Sequence, residues 1–224
     1  MKKISIACAI VAATALAFSV QAADDADMPS SEELDAMTAE INEGSFHDKG
    51  IIKVKAVMQS MEEPLLATCA RAGVEGEALD RDTMKKLEQE QMETIQWPED
   101  GNFLGDWQAG ETLAQSGRGG TWKDKADDPA GGNCYNCHRI SSEELSFGTI
   151  GPSLYNYNKT HGITDPNDTK SAEMVKYTWG KIYNAKAYDA CSNMPRFGSH
   201  DILTQDQIRD LMALLLDPES PVNE

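Results

Sequence analysis

The chain has 224 residues, a quarter of them charged, with 20 Lys and Arg against 37 Asp and Glu and a formal charge of −17. That excess of negative charge excludes electrostatic binding to nucleic acid or to an anionic membrane surface. A basic protein partner remains compatible with it, as does an acidic exported protein without one.

Taken from the start, Lys2 and Lys3 precede an apolar run over residues 4–20, and Val20-Gln21-Ala22 supplies small residues ahead of a cleavage point. This pattern reads as a secretory signal peptide over residues 1–22, cut after Ala22. The run is short for a membrane span and is followed at once by Asp24, Asp25 and Asp27, which argues against an uncleaved anchor. Cys8 lies early in the run rather than at its end, where a lipid-attachment cysteine would sit, and should leave with the signal. The expectation is an exported, periplasmic protein with no membrane anchor. Loss of Lys2 and Lys3 leaves 18 basic residues against 37 acidic, a formal charge of −19.

Most of the acidity sits in the N-terminal part. Residues 23–105 carry 20 acidic and 7 basic residues, whereas residues 106–224 carry 17 and 11. Pro, Gly and Asn cluster from Trp97-Pro98 to Gly105, so the boundary falls there: a helical extension over residues 23–104 and a second region over 105–224. In the extension, Ser31 is placed to cap a helix over residues 32–41, and Pro64 interrupts or starts a helix within residues 51–69. Asp80 or Asp82 can cap a third, to about Ile95, with Met84, Leu87, Met92 and Ile95 as its apolar stripe. These methionines read as packing residues.

The second region opens with a helix over residues 106–115, with Trp107, Gly110, Leu113 and Ala114 facing inward, then a Gly-rich loop to Gly132. Residues 134–138 read Cys-Tyr-Asn-Cys-His. Two thiols at this spacing can each add to one vinyl group of a porphyrin, and the adjacent His138 then lies under the iron as its fifth ligand. A redox Cys pair or half of a zinc site would not require the histidine, and no second Cys pair exists to complete four zinc ligands. One such motif predicts one covalently bound haem c, held by Cys134 and Cys137. The remaining pair, Cys69 and Cys191, is even in number and in an oxidising compartment, so a disulfide is expected, with two buried free thiols as the alternative.

A sixth iron ligand is sought among His47, His161, His200 and the ten methionines. Met194 is favoured: it follows His138 by 56 residues in Ser192-Asn193-Met194-Pro195-Arg196-Phe197-Gly198, a loop before the last helix. Phe197 can pack on the porphyrin and Gly198 can permit the turn; His200 is the rival ligand. Gly148-Thr149-Ile150-Gly151-Pro152-Ser153-Leu154 is placed to offer the Pro152 carbonyl to the free nitrogen of His138, with Leu154 covering the macrocycle. Tyr155, Tyr157, Lys159 and Trp179 are candidates for haem propionate contacts or simple pocket lining. The final helix starts at the capping box Thr204–Gln207, carries Ile208, Leu211, Met212, Leu215 and Leu216 on one face, and stops at Pro218. Two terminal helices bracketing a haem give an all-α reading.

Cys-x-x-Cys-His, then Gly-Pro-x-Leu, then Met-Pro before a C-terminal helix resembles the class I cytochrome c fold, here with a helical N-terminal extension. More narrowly, residues 132–138, 148–154 and 191–198 and the ending Leu216-Asp217-Pro218-Glu219-Ser220-Pro221-Val222-Asn223 resemble the SoxX subunits of thiosulfate-oxidising SoxAX complexes. The resemblance covers roughly residues 105–223; the long extension departs from it. It implies Cys134 and Cys137 as haem attachments and His138 and Met194 as axial ligands. It also implies a heterodimer with a SoxA-like haem subunit acting as an L-cysteine S-thiosulfotransferase, which couples thiosulfate oxidatively to a carrier-protein cysteine. This chain would be the non-catalytic half, passing electrons to a soluble acceptor cytochrome. No catalytic nucleophile carries over. A free-standing periplasmic electron shuttle, and a haem sensor or peroxidase with an open iron site, are the competing functions.

Overall fold

The computed structural model describes residues 29–61, 63–125 and 127–223, so the signal peptide expected over residues 1–22 lies outside the described residues. Two compact units result, the first ending at Phe46 and the second beginning at His47. The first holds helix α1 (Ser31–Ser45), capped by Ser30 rather than Ser31. Ser30 accepts from the Glu33 backbone while the Glu33 carboxylate reaches back to the Ser30 N–H, a reciprocal box that satisfies two terminal donors.

The second unit is helical, and no sheet occurs among its described residues. Helices α2 (Val54–Met61) and α3 (Pro64–Glu75) replace a continuous segment: Pro64 starts α3, where its missing N–H costs no hydrogen bond, and Gly76, at φ 69°, ends it. Helix α4 (Arg81–Met92) is capped by Asp80, which accepts from Asp82 and Thr83 N–H. Then come α5 (Trp107–Gln115), α6 (Tyr157–His161), α7 (Ala172–Tyr183) and α8 (Gln205–Leu216), with a short 3₁₀ turn at Cys134–Asn136. The Thr204–Gln207 capping box forms as expected.

Helices α5 and α8 make the central crossing. A Cβ on Gly110 would run into the Asp210 carbonyl and the Leu214 side chain, so the absence of a side chain there lets the two backbones meet. Gly105 N–H donates to Arg209 O at 2.9 Å and Asp106 N–H to the Asp210 carboxylate at 2.9 Å, which pins the start of α5 to α8. The carbonyls in the last turn of α8 find side-chain amides as donors: Asn223 Nδ2 donates to Leu215 O and Asp217 O, and Asn158 Nδ2 to Leu216 O.

Helix α7 has no counterpart among the elements that the sequence pattern marks. Its Val175, Thr178, Trp179, Ile182 and Tyr183 are buried along one face, with Gly180 buried beside them and Glu173 and Lys176 exposed on the other side. The extension from His47 onward packs as part of this same unit: Trp179 Nε1 donates to Gln96 O at 3.0 Å, Phe103 sits edge-on to Trp179 at 5.6 Å, and Cys69 is bridged to Cys191 with Cα atoms 5.4 Å apart. The expected disulfide is therefore present.

Candidate haem site

The Cys-Tyr-Asn-Cys-His turn is built from local hydrogen bonds. Asn133 enters it in the left-handed region at φ 50°, and Cys137 and His138 N–H both donate to Cys134 O, at 3.1 and 2.9 Å. The turn brings Cys134 and His138, four positions apart, to the same crevice, while Cys137 is half-buried next to His138 in the chain. Tyr135, buried between the cysteines, donates its hydroxyl to Glu111 of α5 at 2.8 Å. Burial and this carboxylate acceptor both push the phenol's pKa up. Sequence reasoning missed this tether, because a lone Tyr–Glu pair 24 residues apart leaves no pattern.

Residues 148–154 run alongside the turn. Gly148 N–H donates to Tyr135 O, Gly151 N–H to Cys137 O and Leu154 N–H to Arg139 O, at 2.8, 2.8 and 2.7 Å. This places the Pro152 carbonyl 2.7 Å from His138 Nδ1, the acceptor expected for it. A proton held on Nδ1 leaves Nε2 as the nitrogen with a free lone pair. A Cβ on Gly151 would strike the His138 ring, so glycine is required there for close approach.

Cys134, His138 and Met194 line one apolar crevice. Ala114 of α5, Ile182 of α7 and Leu211, Leu214 and Leu215 of α8 form its walls, with Ile140, Leu154 and Phe197. Leu154 and Phe197 therefore sit where the sequence placed them. The polar capacity of this cleft is confined to thiol, imidazole and thioether, which is the donor set for a covalently held haem in a dry pocket; the residues fit the group. Although Cys134 is only half-buried by surface area, its sulfur is packed among the crevice's apolar groups, and desolvation pushes the thiol up to about 12. A thiol held neutral in this way does not suit the redox Cys-pair alternative. Among the described residues no cluster of three or more His, Cys, Asp or Glu side chains is placed to hold a metal ion.

The rival ligands lie elsewhere. His200 is exposed, and its pKa is lowered first by desolvation and then by Arg196, with Glu63, Asp201 and Lys186 as its other charged neighbours. His161 is exposed and lies tilted against the Tyr157 ring, and His47 is exposed in the extension. The residues named as propionate contacts or pocket lining have the following surroundings. The Tyr157 hydroxyl is committed to Thr178 at 2.9 Å, the Trp179 indole to Gln96, and Lys159 is exposed. Arg139 lies over the Tyr155 ring at 5.1 Å. Gly198 is needed for the close approach of the Tyr183 ring rather than for a left-handed turn.

The Met194 loop is held from outside itself. Lys186, 7% exposed, donates its ammonium to Ser192 O at 2.8 Å and Ala190 O at 3.3 Å. Desolvation lowers the Lys186 pKa, and Arg196 adds to this. Arg196 makes a two-pronged pair with Glu63, at 2.8 and 2.6 Å, and that guanidinium holds the carboxyl below its usual range. None of these partners carries a sequence motif.

Residues 107–217 match the family model for cytochrome c. The chain is also 41% identical over 140 residues to an uncharacterized lipoprotein of Aquifex aeolicus (strain VF5). That alignment takes in 58% of this chain and 59% of the relative, so the chain spans under two thirds of that protein's length. The matched family segment begins at α5, close to the composition boundary, and contains the whole crevice.

Proposed function

We propose, from the premise that this chain carries a cytochrome c domain over residues 107–217 and so binds haem c covalently for electron transfer, that it is the electron-accepting subunit of a SoxAX-like heterodimer. In this reading Cys134 and Cys137 hold a single haem, and His138 and Met194 are its axial ligands. The bound haem supplies a one-electron store. The chain's own residues do the rest: the Pro152 carbonyl fixes the His138 tautomer, and the leucines of α8 with Ile182 and Phe197 keep water from the crevice. A thioether ligand raises the potential relative to a second imidazole. The partner is a SoxA-like haem subunit that joins thiosulfate to a carrier-protein cysteine, and the electrons leave to a soluble cytochrome.

The observation that carries the ligand assignment is the sharing of one apolar cleft by Cys134, His138 and Met194, with His138 Nδ1 committed to Pro152. Export to the periplasm after cleavage at Ala22 is inferred from the N-terminal pattern. The Aquifex relative is named a lipoprotein, whereas Cys8 here sits early in the apolar run, and among the described residues no helix is long and apolar enough to cross a membrane.

Two measurements test the proposal. Met194→Ala should abolish the weak red absorption band of Met-ligated ferric haem and let the reduced iron bind carbon monoxide; survival of the band, with its loss in His200→Ala instead, overturns the ligand assignment. Mixed with thiosulfate and an acceptor cytochrome alone, the chain should be inactive, and with a SoxA-like subunit and carrier protein it should be reduced during turnover. A chain that stays monomeric beside that subunit, its haem unreduced as thiosulfate is consumed, makes the free-standing shuttle the correct function.

A further inference from the structure

Met194 lies between two anchors that run to the same helix. Three residues before it, Cys191 is bridged to Cys69 in α3; two residues after it, Arg196 pairs with Glu63, the residue immediately before the first residue of α3. Between the anchors Lys186 holds the Ser192 carbonyl at 2.8 Å, and the three residues that follow have little hold of their own. Among the described residues, 193–195 take part in no backbone–backbone hydrogen bond, and the Met194 N–H donates only to Ser192 Oγ, at 3.3 Å. Arg196 is 8% exposed in side-chain area, so its partner Glu63 compensates a charge that is otherwise largely removed from water. A short segment tied at both ends to one rigid helix has few conformations in which its middle residue leaves the crevice.

We propose that α3 is a splint for the Met194 loop, and that Glu63, Cys69, Cys191 and Arg196 are positioning residues which set how often the thioether leaves the iron. The inference rests on Met194 as axial ligand. It gives the extension a task beyond stability: the sixth iron site stays closed because a helix more than 100 residues upstream holds the ligand's loop from both sides. Breaking the Arg196 anchor frees the later end of the segment, breaking the bridge leaves the earlier end on Lys186 alone, and in each case the intact end then acts as a hinge. The two anchors are therefore coupled through the loop, and their removal should not be additive.

The test uses the full-length holoprotein with reduced haem and follows carbon monoxide binding, whose rate reports departure of the sixth ligand. Four variants are compared with wild type: Cys69→Ala/Cys191→Ala, Glu63→Gln, Glu63→Asp, and Asp48→Asn as a control that breaks the exposed Lys53–Asp48 pair. The first two should bind carbon monoxide about tenfold faster or more, a change of about 1.4 kcal/mol in loop opening. Their ferric red band should fade at temperatures where far-ultraviolet circular dichroism is unchanged. Glu63→Asp should restore part of the wild-type rate, and the control should match wild type. If the double cysteine variant does not fold, brief dithiol treatment of the folded wild type and the Glu63→Gln variant read the same rate. A lowered melting temperature with an unchanged carbon monoxide rate would show that the contacts stabilise the fold without guarding the ligand, and would overturn the splint. A wild-type protein that itself lacks the red band and binds carbon monoxide at once would instead overturn Met194 ligation.

Discussion

On one side of the crevice, the contacts that orient His138 come from residues 133–154: a left-handed Asn133, a single turn, and a parallel-running segment that ends in the Pro152 carbonyl. On the other side, Met194 depends on Arg196 pairing with a residue 133 positions away and on Cys191 bridging across 122. The first side can form as soon as its own short stretch of chain turns. The second exists only after residues 63–69 have packed against the later part of the same unit. The difference teaches that of two candidate iron ligands facing one crevice, one can be set by local geometry and the other by tertiary structure, and that the two will respond differently to the same insult.

The largest expected effect breaks the distal side alone. Replacing both Cys69 and Cys191 by Ala opens a loop of 122 residues, worth up to about 5 kcal/mol of global stability in the chain-entropy model. Denaturant unfolding followed by circular dichroism should show a midpoint well below wild type. The His138 side should persist into the transition, so the Soret band of His-ligated haem should outlast the red band. If both bands vanish together at every denaturant concentration, the two sides are one cooperative unit and the comparison fails.

What can be read from sequence divides along the same line. The Cys134–His138 motif, the Pro152 acceptor, Leu154, the Asp80 cap and the Thr204–Gln207 box are all local, and each lies where its chemistry puts it. Helix α7 escapes because Ser171, at its start, makes no side-chain cap and because Thr178 and Gly180 weaken an apolar stripe of Val175, Trp179, Ile182 and Tyr183 that otherwise has helical spacing, opposite exposed Glu173 and Lys176. The sequence suggests Trp179 as a haem neighbour, yet it faces the extension, where it meets Phe103 and Gln96. Ser30 and Ser31 are adjacent and chemically equal, so only the backbone decides which one caps. Glu63–Arg196, Gln91–Asn184 and Lys186 on the loop carbonyls join residues with no spacing rule between them. The Cys69–Cys191 bridge is the exception, legible because only two cysteines are left to pair.

A middling effect addresses the proximal side. In Gly151→Ala the new methyl would meet the His138 ring, and overpacking of this kind costs about 1–3 kcal/mol. The ring must tilt or the 148–154 segment must withdraw, and either lengthens the Nδ1–Pro152 hydrogen bond. The variant should show a lowered reduction potential or a high-spin component while its red band and its Cys69–Cys191 bridge are retained. Loss of the red band with an unchanged proximal signature would mean the two sides communicate through the crevice more strongly than their separate construction suggests.

The smallest effect comes from acid. Hydrogen bonding to Arg196 holds the Glu63 carboxyl below its ordinary value of 4.5, ahead of the opposing effect of burial. A carboxylate whose folded pKa is depressed contributes stability that is fully present above the unfolded value and is lost as pH falls through the folded one. The contribution should thus be constant from neutrality down to about pH 5 and disappear below 4.5, as protonation removes the charge that pairs with a nearly buried guanidinium. Its size is about 1 kcal/mol, since the pair is partly open to solvent. Because the pair holds only the Met194 side, acid titration of the ferric holoprotein should weaken the red band before it disturbs His138, and Glu63→Gln should remove that early phase. A wild-type titration in which Met and His signatures decline at one midpoint, identical in Glu63→Gln, would assign the acid transition to the fold as a whole and leave Glu63 no separate part in it.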